Sequence, residues 1–158
     1  MSQLATIPFD SVTADALMPT GSVVTDNSNG KKYMYVENTG TASILAGRGA
    51  YHKYAQGEVD CIGDGSERRN LIAGVSVAIL LADYFGFIQI WGRNLNVVLN
   101  TDDDVAEGVA IVGFSNVSGL LNSIAIGTAM TCVALGFAMT AVVGASNTVD
   151  AFITVGGS

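Results

Sequence analysis

The sequence predicts an all-β fold, a β-sandwich or β-barrel of short antiparallel strands preceded by an extended N-terminal arm. Three observations carry that expectation. Apolar, β-branched or aromatic runs of about 5 residues recur at a spacing of roughly 8–12 residues, the rhythm of sandwiches and barrels. Gly, Ser, Asn and Asp punctuate these runs, as turns require. Finally, residues 82–92 are apolar on both strand faces. Alternation places Tyr84, Gly86, Ile88 and Ile90 on one face and Phe85, Phe87, Gln89 and Trp91 on the other. A strand of this kind must be covered twice: by a second sheet on one side, and on the other by more of the chain or by another subunit.

Residues 1–30 hold both prolines, Pro8 and Pro19, among Ser, Thr and Asp with scattered apolar side chains and no sustained period. Such a segment buries too little of itself to order alone, and either lies along a partner or frays. Ala14 to Met18 suits a single helical turn, and Asp26 to Gly30 suits a turn. From Lys31 the texture changes, with strands expected over Lys32–Asn38 and Ala50–Tyr54 and a short turn at Ile44–Gly47. Gly57–Asn70 is polar and reads as a long loop. Gly74–Ala78 is the next strand, then the 82–92 stretch, then Leu95–Asn100. Later strands are expected within Val109–Gly113, Leu120–Ile126, Cys132–Ala138, Met139–Val143 and Ala151–Val155.

The chain has 158 residues, enough for one domain with a core of its own. Seven basic residues stand against 14 acidic ones. All seven bases lie in residues 31–93, while residues 94–158 carry five acids and no base. No basic stripe with interleaved aromatics exists, so direct nucleic-acid binding is not expected. Apolar residues make up 49% and charged residues only 13%, which points to surface covered by partners. Cys61 and Cys132 form neither a disulfide framework nor a zinc pattern and read as small buried hydrophobes. The first residues lack the basic and apolar regions of a signal peptide, so synthesis in the cytoplasm is expected. Ile124–Val143 passes a crude transmembrane test. It lacks flanking Lys or Arg and an aromatic belt, so strands buried on both faces are the preferred reading over a membrane protein.

Chemistry is sparse. His52 is the sole histidine, and no nucleophile signals a partnership with it. Asp102, Asp103 and Asp104 form the only carboxylate run, without the spacing of a calcium loop. Gly47-Arg48-Gly49 is not a phosphate loop, and Arg68-Arg69 reads as loop charge. No catalytic group, metal or cofactor is expected. Trp91 reads as a core tryptophan, or as an interface anchor if its face is left open.

Several phrases in order resemble the decoration, or cement, proteins of tailed-bacteriophage heads. They are Lys32 to Asn38 followed by Ala46-Gly47; Gly74-Val75 with Val77-Ala78; Tyr84 to Gly92; Val105 to Gly108; Leu135 to Ala138; and Ala151 to Val155. The aromatic-Gly-aromatic-Ile-Gln-Ile-Trp-Gly phrase is the most distinctive. The resemblance covers about residues 31–155, implies a β-rich decoration and trimerisation domain over residues 31–158, and leaves the arm, residues 1–30, unmatched. It implies a non-enzymatic homotrimer on the capsid exterior that clamps neighbouring major capsid subunits. Ile7, Phe9, Leu17 and Met18 are then candidate capsid contacts in the arm, and Phe87, Gln89 and Trp91 candidate subunit-interface residues. A head-fibre base or a tail part is the alternative within the virion.

Overall fold

A stretch whose two faces are both apolar needs two covers, and the chain supplies both. In a computed structural model the described residues are 7–53, 55–61, 71–100, 104–113, 120–124, 134–143 and 148–155. Among them the chain forms ten strands and no α-helix: β1 (Val23–Thr25), β2 (Lys32–Asn38), β3 (Gly49–His52), β4 (Glu58–Asp60), β5 (Ile72–Ser76), β6 (Phe85–Val98), β7 (Ala110–Gly113), β8 (Leu121–Ile124), β9 (Ala134–Ala138) and β10 (Thr148–Thr154).

Hydrogen bonding follows the order β1-β2-β4-β3-β5-β6-β10-β9-β7-β8, and β2 also pairs with β6. That extra pairing closes β2, β4, β3, β5 and β6 into a five-stranded barrel. The second half of β6 continues into a sheet with β10, β9, β7 and β8. The all-β expectation is met, with both a barrel and a packed second layer. Among the named strands only β2 and β4 run parallel.

Inside the barrel lie Val36, Ile44, Val59, Leu80 and Ile88, all 0–1% exposed, with Tyr84 and Ile90 packed beside them. This is the expected even-numbered face of the 82–92 stretch. Cys61 is buried here too, whereas Cys132 lies outside the described residues. Between barrel and second sheet, Tyr51, Ile72 and Val75 meet Val97, Ile111, Leu121, Leu135, Val149 and Ile153. Each fully buried Leu or Ile there contributes about 1.5–3 kcal/mol.

The odd-numbered face of β6 meets the arm, which from residue 7 lies along its own barrel instead of being frayed. Tyr33, Tyr35 and Phe87 form a third cluster on the barrel's outside, and Ile7, Phe9 and Met18 pack onto it. Phe9 stacks on Tyr33 at 4.1 Å and meets Phe87 edge-on at 5.4 Å. Thr13 exchanges two backbone hydrogen bonds with Phe85, and the Leu17 N–H donates to the Tyr35 hydroxyl at 3.0 Å. The physical reason is plain: three aromatic rings on an outer barrel face would otherwise meet water, and the arm is the nearest apolar chain. No helical turn forms at 14–18, while the turn at Asp26 does.

Three further expectations are corrected. The polar run after Gly57 contains β4, which is held from both sides by β2 and β3. The 82–92 strand and the one after it are a single 14-residue strand. Residues 139–143 contribute only the Val105–Val142 bridge. Residues 125–133, most of the apolar half of the transmembrane candidate, lie outside the described residues. Among those described, no helix is long and apolar enough to cross a membrane.

Candidate functional site

What aims side chains outward is the bend where β6 leaves the barrel. Tyr33 pairs with Gln89 but Lys32 pairs with Trp91, so Ile90 is an extra residue in the ladder. Gly92 follows at φ +97°, a conformation that L side chains rarely adopt. Three successive carbonyls, those of Trp91, Gly92 and Arg93, come within reach of one side chain at this bend. The Gln89 carboxamide answers them: its Nε2 donates to the carbonyls of Trp91 (3.1 Å), Gly92 (2.9 Å) and Arg93 (3.2 Å). Asn94 Nδ2 in turn donates to Gln89 Oε1 at 3.1 Å. Gln89 is 3% exposed, so these bonds form in a low-dielectric setting where an unmet carbonyl is costly.

Beyond the bend, the outer face of the second sheet carries a row of aromatic rings. Trp91 meets Phe152 edge-on at 5.4 Å, and Phe152 stacks with Phe137 at 5.7 Å and 16°. Phe152 and Phe137 are register partners across β10 and β9, which fixes the stack. Trp91 remains 36% exposed and Phe137 44%. Phe137 points outward because β9 carries a bulge. Val112 pairs with Ala134 but Ile111 with Gly136, so the extra residue, Leu135, turns into the core. A Cβ on Gly136 would stand 1.9 Å from the Phe152 carbonyl oxygen, so the close approach of β9 to β10 requires glycine.

Charge frames the row. The Lys32 ammonium sits 5.9 Å from the Trp91 ring centroid, within cation–π range. Arg93 clasps Asp150 through Nε and Nη2 beside Phe152, and the carboxylate and its hydrogen bonds hold the guanidinium pKa above its usual value. At the other end, the turn bearing exposed Glu107 lies next to Phe137, because the Gly108 N–H donates to the Ala138 carbonyl at 2.8 Å.

The expected interface residues therefore separate. Trp91 is not in the core and faces outward. Phe87 and Gln89 are each 3% exposed and engaged within the chain, so neither is available to a neighbouring subunit. Phe87 is covered by the arm, and Gln89 is committed to the bend. Of the arm candidates, Ile7, Phe9 and Met18 are packed on the barrel, and Leu17 alone stays largely open at 49%. Sequence reading missed Phe152, Phe137, Lys32 and the Arg93–Asp150 pair. The signal for Phe152 was present: Val149, Ala151 and Ile153 alternate with Asp150, Phe152 and Thr154, and an acid marks the solvent side.

Elsewhere, His52 is half-buried at the end of β3, and burial lowers its pKa. Asp104 is exposed, while Asp102, Asp103 and Arg68-Arg69 lie outside the described residues. Among the described residues no three His, Cys, Asp or Glu side chains are grouped to hold a metal ion. A cleft of about 450 Å³ opens between the bend and the loop at Gly47, lined by Lys31, Tyr33, Ser76, Gln89, Asn94 and Asn96 among others. Two of its amides are already spent on the bend: Gln89, and Asn94, whose Oδ1 also accepts the Asn96 N–H at 2.9 Å. No family model matches the chain, and no curated protein matches it significantly.

Proposed function

We propose that this chain is a structural virion protein that binds the outside of a tailed-phage capsid as a homotrimer and stabilises the shell by clamping neighbouring major capsid subunits. One observation carries the reading. A chain with sealed cores still turns large apolar side chains outward on two separate surfaces. The first is the Trp91, Phe152 and Phe137 row. The second gathers about the Ile44–Leu80 bridge, where Leu45, Ile79 and Leu81 are 40–53% exposed. Two apolar surfaces suit a subunit with two kinds of neighbour, its own copies and a shell. The resemblance of residues 31–155 to decoration proteins is the ground for taking that shell to be a phage head.

The physics of such a role needs no reactive group. A protein that binds assembled shell better than loose subunits shifts the equilibrium toward shell by mass action. Copies held together then engage several sites at once and gain avidity without new contacts. The test is to mix the purified chain with undecorated heads and follow co-sedimentation together with the temperature at which heads open. Binding with a raised opening temperature is expected. A chain that neither sediments with heads nor protects them overturns the proposal.

A further inference from the structure

The turn that joins β1 to β2 carries the chain's only Asn-Gly pair, Asn29-Gly30. Gly30 sits at φ +71°, where side-chain-bearing residues are strained, so the turn requires glycine there. That requirement has a chemical side. With no side chain on Gly30, its amide nitrogen is unshielded and can attack the carboxamide carbon of Asn29. The Gly30 N–Cγ bond forms and the Cγ–Nδ2 bond breaks, the amide leaves with the Gly30 proton as ammonia, and a succinimide remains. Water then opens the ring to aspartate or isoaspartate at position 29. Water is the only co-reactant, and residues 27–30 are exposed to it.

In the folded turn, one residue holds the reacting groups apart. The Asp26 carbonyl accepts the Gly30 N–H at 2.8 Å, which engages the nucleophile. Asn29 Nδ2 donates to Asp26 Oδ2 at 2.7 Å, while Asn29 Oδ1 accepts the Lys31 N–H at 2.9 Å, so both ends of the carboxamide are fixed. Asp26 Oδ1 is itself anchored, accepting the Ser28 hydroxyl at 2.6 Å and the Ser28 N–H at 2.9 Å. These bonds, the Ser28 hydroxyl foremost, hold the Asp26 carboxyl below its usual range, so at neutral pH it is an ionised acceptor. Ring closure has to free the Gly30 N–H and both ends of the Asn29 carboxamide together.

We propose that Asn29 is a covalent modification site, deamidating spontaneously to aspartate and isoaspartate, and that Asp26 sets the rate by keeping the Asn29 carboxamide and the Gly30 N–H engaged. The product does not suit the turn in which it forms. Its carboxylate stands where an amide donated to Asp26, and isoaspartate also lengthens the backbone of the loop. That loop secures β1, whose Val23, Val24 and Thr25 pair with Met34, Tyr33 and Lys32, and Val24 packs on the same aromatic cluster as the arm. Conversion therefore loosens β1 and one side of that cluster. The inference does not rest on the capsid reading.

The test incubates the full chain in mildly alkaline buffer, once folded and once in urea. Peptide mass mapping follows the amide-to-acid gain, and isoaspartyl methyltransferase labels the isoaspartate. In urea, Asn29 is expected to convert before every other asparagine. In the folded chain its conversion is expected to be at least about tenfold slower, the effect of giving up hydrogen bonds to a charged group. Asp26→Ala is expected to speed conversion in the folded chain roughly tenfold. Asp26→Asn, which keeps an acceptor oxygen in the turn, speeds it less. Asn29→Gln removes the signal, and Asn29→Asp reproduces the product, with a lower Tm and faster proteolytic cutting within residues 23–25. Thermal unfolding shows which variants are folded during incubation, and Asp26→Asn carries the test if Asp26→Ala is not.

Other asparagines converting as fast as Asn29 in urea overturn the site. A folded chain that converts at the urea rate overturns the restraint, and folded Asp26 variants no faster than wild type overturn the part given to Asp26. An Asn29→Asp chain as stable and as resistant to cutting as wild type overturns the consequence for β1.

Discussion

Gln89→Leu removes the carboxamide from the bend in β6 while keeping a side chain of similar bulk. Three carbonyls share the two Nε2 hydrogens, at 2.9–3.2 Å. At about 1–3 kcal/mol for each buried acceptor left unmet, and two donors lost, the cost is at most about 2–6 kcal/mol, since the bonds to Trp91 and Arg93 are only part-buried. Against a typical domain stability of about 5–15 kcal/mol this is a large fraction. It corresponds to a fall in Tm of about 4–24 °C for a chain of this size. Urea or thermal unfolding at neutral pH measures it. Gln89→Glu sharpens the test by keeping the shape and changing the charge. A carboxylate facing three carbonyls is disfavoured, so the folded pKa of that Glu rises above about 4.3. With the folded pKa raised, its stability is fully present below the unfolded pKa and is lost as pH rises through the folded value. The Glu variant is therefore more stable, relative to wild type, in mild acid than at neutral pH. A Leu variant within about 0.5 kcal/mol of wild type, or a Glu variant whose deficit ignores pH, refutes the assigned role of Gln89.

Other perturbations separate the parts of the molecule. Gly136→Ala puts a methyl against the Phe152 carbonyl and should cost about 3 kcal/mol or more, read as a lowered urea midpoint. Tyr35→Phe deprives the Leu17 N–H of its acceptor and should cost about 1 kcal/mol, with faster proteolytic cutting within residues 7–18; unchanged cutting rates would mean that the arm is held by packing alone. His52 has its pKa lowered by burial, so the unfolded chain takes up the proton first as pH falls. The stability it contributes is present above pH 6.5 and is lost as pH drops toward the folded value. His52→Gln should therefore flatten the acid side of a Tm-against-pH curve, and an unaltered slope would refute the assignment.

Alternation made the two faces of the 82–92 stretch legible, and it was right about which residues enter the barrel. What it left open was the identity of the second cover. That depended on Phe9 reaching Tyr33, a pairing with no local signature. The strand β4 was hidden because Glu58-Val59-Asp60 is short and polar. Its neighbours on both sides hold it, and these are non-local facts. The break expected between Gly92 and Leu95 is absent, and it is there that one buried glutamine donates to three carbonyls along a continuous strand. For Trp91 the sequence leaves two readings open, a core tryptophan or an interface anchor on an open face, and the structure shows it 36% exposed. Its outward side is the one alternation assigns, opposite Ile90; what alternation does not show is that the arm packs on Phe87 while Trp91 stays open.

The shared strand also bears on how the molecule emerges from the ribosome. Everything needed to close the barrel has been synthesised once β6 is complete, yet Tyr51, Ile72 and Val75 wait for partners that lie as far on as Ile153. Through that interval the nascent chain displays a greasy flank and the open edge of β6, the two features that invite misassembly between neighbouring polypeptides. Slowing translation just after residue 98 should therefore raise aggregation more than the same pause placed before β6.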